Sequence, residues 1–110
     1  MKRLEVIRVR LFRISNAARI GALLHQFQTD TVEMMAKHSV CVRLLRNAEI
    51  ENDWSVHLIY PFDSTISGRS ALAEHLTELF RPIGLVHHDT WLPDHIDTGQ
   101  AFKFRKERNQ

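Results

Sequence analysis

The sequence predicts an α+β domain with the element order β-α-β-β-α-β, and three observations carry that prediction. Apolar residues alternate with period two over residues 4–13, 39–46, 54–62 and 85–92, the mark of strands with two distinct faces. They recur every three or four residues over 17–38 and 69–81, as the buried stripe of a helix does. Breakers punctuate the ends: Pro61 after the third strand, Pro82 and Gly84 after the second helix, Pro93 after the fourth strand. This order is the ferredoxin-like split pattern, a four-stranded antiparallel sheet in spatial order 4-1-3-2 with both helices on one face.

In the first strand Ile7, Val9 and Leu11 point one way, and Val6, Arg8, Arg10 and Phe12 the other. Ser15 or Asn16 then offers an N-cap oxygen. The first helix carries Ile20, Leu23, Leu24, Phe27, Thr31, Met34 and Met35 on one stripe. Thr29-Asp30-Thr31 is its weak spot, where Asp30 can cap a second helical piece. In the second strand Cys41 alternates with Val40 and Val42 and reads as inert packing. The polar stretch 47–53 makes a hairpin with the third strand. There Trp54, Val56, Leu58 and Tyr60 share one face, and Ser55, His57 and Ile59 the other. The second helix presents Leu72, Leu76, Leu79 and Phe80, with Ile83 following. Val9, Leu24, Phe27, Leu58, Leu72 and Leu76 are therefore expected to be buried together. Residues 1–96 form the domain. Residues 97–110 are a polar, basic tail, in which Ala101-Phe-Lys-Phe-Arg105 alternates as a short extra strand on a partner would.

The chain has 110 residues, 44% hydrophobic and 25% charged, which suits one globular domain. A net charge of only +2 makes no demand for a nucleic-acid partner. No apolar run approaches the ~20 residues that span a bilayer. Cys41 is the only cysteine, so no intrachain disulfide forms and a reducing, cytoplasmic setting is expected. With both helices on one side, the other sheet face is left open and carries Val6, Phe12, Leu45, Ile59 and Trp91. A second copy is the economical cover, so a homodimer burying over ~1,000 Å² in total is expected. Its interface would include Arg8, Arg10, His57, Asp89 and Trp91. Asp89 is expected within salt-bridge distance of Arg8 or Arg10, inside one subunit or across the dimer.

The hairpin Val-Cys-Val-Arg-Leu-Leu-Arg-Asn … Asp-Trp-Ser-Val-His-Leu-Ile-Tyr, the His-bearing second helix and the strand Leu-Val-His-His-Asp-Thr-Trp resemble the antibiotic-biosynthesis-monooxygenase-like domains of the dimeric α+β barrel superfamily. The resemblance covers about residues 4 to 93 and lies in element order and flavour. It implies a homodimer, a cavity between helices and sheet, and oxidation of a small aromatic or quinol-type substrate with no metal or flavin. The haem-degrading relatives use an Asn on the first strand, a Trp just after the third and a helix His. Here Arg8 and Arg10 occupy the first strand and Tyr60-Pro61 the Trp region, so haem degradation is not expected.

If the resemblance holds for chemistry, His75 and Tyr60 are the catalytic candidates, with His75 as the base. Phe27, Met34, Met35 and His88 would line the pocket. No metal is expected: His87 and His88 are strand neighbours and point to opposite faces, and His87 with Asp89 makes only two ligands on one face. The alternative is a non-enzymatic module of the same fold that binds a small ligand or oligomerises. A deep pocket receiving His75 or Tyr60 favours the enzyme, and a filled core favours the module.

Overall fold

Strand β1 (Arg3–Leu11) is the axis of the sheet, hydrogen-bonded along its length to two antiparallel neighbours. The computed structural model describes residues 3–61 and 70–93. After β1 come a 3₁₀ turn (Ile14–Asn16), α1 (Ala17–Asp30), α2 (Val32–His38), β2 (Cys41–Arg46), β3 (Asp53–Tyr60), α3 (Ala71–Phe80) and β4 (Gly84–Trp91). The sheet order is β2-β3-β1-β4, the predicted 4-1-3-2 read from the other edge. The proposed tail strand lies outside the described residues.

The expected first helix divides in two at Thr31. Its backbone turns to φ −118°, ψ 16°, and its hydroxyl donates to the Phe27 carbonyl at 2.7 Å. A β-branched pair, Thr31-Val32, crowds the preceding turn here, and the Thr hydroxyl competes for backbone partners. Asp30 does not cap α2, nor does the Asn16 side chain cap α1. The α2 helix ends on Ser39 in the left-handed region, φ 51°, with the Ser39 and Val40 N–H groups closing onto Ala36 and Met35.

The helices cover the face that the odd residues of β1 occupy. Ile7, Val9 and Leu11 meet Val56 and Leu58 of β3, Ile20, Leu24 and Phe27 of α1, and Leu72, Leu76 and Phe80 of α3 in one core. All six residues expected at its centre are buried. Gly84 owes its identity to this packing. A Cβ there would lie 2.5 Å from the Arg10 carbonyl oxygen and 2.7 Å from a Val9 methyl. Because the first obstacle is backbone, Gly84→Ala should lower stability by about 1–3 kcal/mol, read from its thermal unfolding midpoint.

Candidate functional site

Parity along β1 also places Glu5 on the covered face, where it is fully buried. Isolated, a buried carboxylate would be costly, so it needs donors. Five polar groups surround it. Tyr60 Oη donates at 2.7 Å, Ser70 Oγ at 2.5 Å and the Ser70 N–H at 3.1 Å. His88 Nε2 lies 2.8 Å away and the Arg3 guanidinium 3.6 Å away. Ser70 is also the N-cap of α3, accepting from the Ala73 N–H, so the cluster ties the helix start to β1, β3 and β4. Burial pushes the Glu5 pKa up, but hydrogen bonds from Ser70, Tyr60 and His88 outweigh burial and hold it below the usual carboxylate value. Burial raises the Tyr60 pKa, so the phenol stays protonated and donates.

Among the described residues no element covers the sheet's other face, and register arranges it in rungs. One reads Leu45, Ser55, Arg8, His87. The next reads Arg43, His57, Val6, Asp89, and the third Cys41, Ile59, Leu4, Trp91. At the opposite end Asp53 faces Arg10, with Leu85 beyond. A concavity of about 550 Å³ spans these strands, lined by Arg8, Arg10, Leu45, Ser55, Leu85 and His87 among others. That is a size suited to small molecules. Beside it, His57 Nε2 lies 3.4 Å from Ser55 Oγ. Partial burial, and secondly the charge of Arg43, hold the His57 pKa below its ordinary value, so the ring is neutral near pH 7. Among the described residues no three His, Cys, Asp or Glu side chains gather as metal ligands would, and no helix is long and apolar enough to cross a membrane.

The residues singled out from the sequence fall into separate places. Tyr60 and His88 come together on Glu5. His75 does not join them: it is partly exposed on α3, 3.2 Å from Asp30, with its ring 6.0 Å from that of Phe27. Phe27 belongs to the core, Met35 packs against it and Met34 is exposed, so these side chains do not share one concavity. Arg8, Arg10, His57, Asp89 and Trp91 do share the open face.

The pairing expected for Asp89 is corrected within the subunit. Arg10 is gripped by Asp53, with Nε and an Nη at 2.6 and 2.7 Å, because β3 places Asp53 directly opposite. Asp89 stands opposite Val6 and instead meets His87 at 3.2 Å. Cys41 is exposed on the edge strand rather than packed inside. Glu5, Arg3 and Ser70 were missed. The available signal was a charge at an alternate position of an apolar strand face: Glu5 shares parity with Ile7, Val9 and Leu11.

No protein-family model and no curated protein matches the chain. Solved structures do. A candidate antibiotic biosynthesis monooxygenase from Bordetella bronchiseptica superposes with a TM-score of 0.52 at 18% identity, over 84% of this chain and 100% of that one. A further antibiotic biosynthesis monooxygenase matches with a TM-score of 0.48 at 12% identity, over 83% of this chain and 96% of that one. At such identities the likeness speaks for architecture: the chain has the ferredoxin-like α+β fold of the antibiotic biosynthesis monooxygenase-like proteins.

Proposed function

We propose that the chain is a homodimeric, monooxygenase-like protein that holds a small aromatic or quinol-type substrate over the open face of its sheet and oxidises it with dioxygen, without a bound cofactor. The observation that carries this reading is the concavity of about 550 Å³ on a half-apolar face that no described element covers. The reaction class follows the name of the structural neighbour that shares the fold, which supports this reading. A second copy laid on Phe12, Leu45, Leu85 and Trp91, all exposed here, would roof the concavity and exclude water from it.

The chemistry asked of the protein is modest. A base removes a proton from the substrate hydroxyl, and the resulting anion is rich enough in electrons to be oxidised by dioxygen. One oxygen atom enters the substrate and the other leaves as water, the substrate itself supplying both electrons. His57, neutral and on the open face, suits the base. His75 and Tyr60 are the rival assignment, which places the chemistry under the helices.

Light scattering should give twice the chain mass at micromolar concentration. An oxygen electrode with a panel of quinols and anthrone-type phenols should record uptake, with mass spectrometry finding one atom of labelled oxygen in the product. His57→Asn should lower kcat by about a hundredfold or more. A comparable fall in His75→Asn, with His57→Asn unaffected, would move the site beneath the helices. A monomer mass would refute the assembly. The second reading, a non-enzymatic ligand-binding or oligomerising module, is favoured by one observation: Phe27, Leu24 and Leu76 fill the space under the helices, and Tyr60 is tied to Glu5. Binding without oxygen uptake across the panel would establish it.

A further inference from the structure

The ion pairs of the open face leave Arg8 over, while Arg46, which also lines the concavity, lies over the Trp54 ring at 5.9 Å. Arg10 is taken by Asp53, and Asp89 by His87. Arg8 sits between them, in the rung Leu45, Ser55, Arg8, His87. Among the described residues its guanidinium makes no hydrogen bond or ion pair, and its charge acts only at longer range on Asp53, whose carboxylate grips Arg10. It is flanked by a hydroxyl on β3 and an imidazole on β4, both lining the same concavity. Leu45 and Leu85 are exposed at the two sides of that floor. A planar fork of donors and a hydroxyl between two apolar side walls are matched by a flat organic body bearing a carboxylate. Inorganic anions would leave the leucines uncovered. A neutral ring would leave the guanidinium unmatched once a second copy closed the site.

We propose that Arg8, with Ser55, forms a binding site for a small aromatic carboxylate, whose ring lies between Leu45 and Leu85. This rests on the ligand-binding reading above and names the charge of its ligand. Arg8 reads the carboxylate through two parallel N–H···O bonds, so both its charge and its shape matter. Arg43, on the neighbouring rung, does not line the concavity and serves as a control cation.

The test is calorimetric titration of the full chain with benzoate, its neutral isostere benzamide, and inorganic phosphate. Benzoate should bind at least about tenfold more tightly than benzamide, and phosphate more weakly than benzoate. Arg8→Gln should erase the preference for benzoate over benzamide. Arg8→Lys should keep part of it, since charge remains without the fork. Arg43→Gln should bind as the wild type does. Circular dichroism of each variant checks that the fold is kept, as expected for exposed positions. Equal affinity for benzoate and benzamide, or undiminished benzoate binding by Arg8→Gln, overturns the inference. Phosphate binding as tight as benzoate binding also overturns it, since that describes a general anion patch. Failure of benzoate to bind until Asp89→Asn is introduced overturns it too, because a carboxylate of the second copy would then already fill the fork. The two proposals fail separately. Benzoate binding through Arg8 with no oxygen uptake on any quinol removes the oxidation and keeps the site. Oxygen uptake on neutral quinols together with equal affinity for benzoate and benzamide removes the site and keeps the oxidation.

Discussion

Phe27→Ala is expected to cost about 3–5 kcal/mol of folding stability, one of the largest effects available to a single substitution in this chain. The ring is fully buried on α1, inside the cluster that joins α1 to α3 and to the sheet. Truncation removes its transfer free energy and leaves a cavity that the neighbours cannot fill without leaving their own rotamers. Chemical denaturation should show a lower midpoint with an unchanged slope. A loss below about 1 kcal/mol would mean that the helix face had been wrongly assigned.

Glu5→Ala should be comparably severe, at about 3–5 kcal/mol, for a different reason. The carboxylate itself does little packing. Its removal leaves the Tyr60 hydroxyl, two donors of Ser70, His88 and Arg3 around an empty centre, far from water. Glu5→Gln keeps the volume and one acceptor oxygen but loses the charge, so its loss should be intermediate. The pH dependence separates this from simple packing. The folded-state pKa of Glu5 lies below its ordinary 4.5. The unfolded state therefore binds the proton more readily. The contribution of Glu5 is fully present above about pH 4.5 and is lost as pH falls through the lower, folded-state value. Asp53 behaves in the same sense, since the hydrogen bond from Arg10 lowers its pKa, but it is at the surface and screened. Acid unfolding of Glu5→Gln should lack the Glu5 share of the slope that the wild type shows below pH 4.5. An identical slope in both proteins would show that Glu5 is not held ionised.

The open face raises a separate point about the polar residues of β4. His87, His88 and Asp89 look like one cluster in the sequence. In the fold they serve two surfaces: His88 is part of the buried anchor on Glu5, while His87 and Asp89 pair with each other on the open side. Adjacent strand residues point to opposite faces, which forbids a shared metal or a shared catalytic role for the two histidines within one subunit.

Much of the architecture is determined by the sequence alone, because periodicity is a local property. Alternation over β1 and β3 already assigns Ile7, Val9, Val56 and Leu58 to one side of the sheet, and Arg8, Ser55 and His57 to the other. The helical stripe assigns Phe27 and Leu76 to the core in the same way, and the weakness at Thr29-Asp30-Thr31 marks the break between α1 and α2 to within the residue pair. What the tertiary structure decides is which polar group meets which. Asp53 and Asp89 are both aspartates on strands beside β1, and only register makes the first the partner of Arg10 and leaves the second to His87. His75 lies at the edge of an apolar stripe, and only the packing of α1 on α3 sets it beside Asp30 at the surface. Glu5 finds Ser70 and His88 from 65 and 83 residues away along the chain. Such pairings depend on ångström-scale distances between segments remote in sequence. Hydrophobic pattern sets the face of a residue, but only the packed sheet and helices set its neighbour.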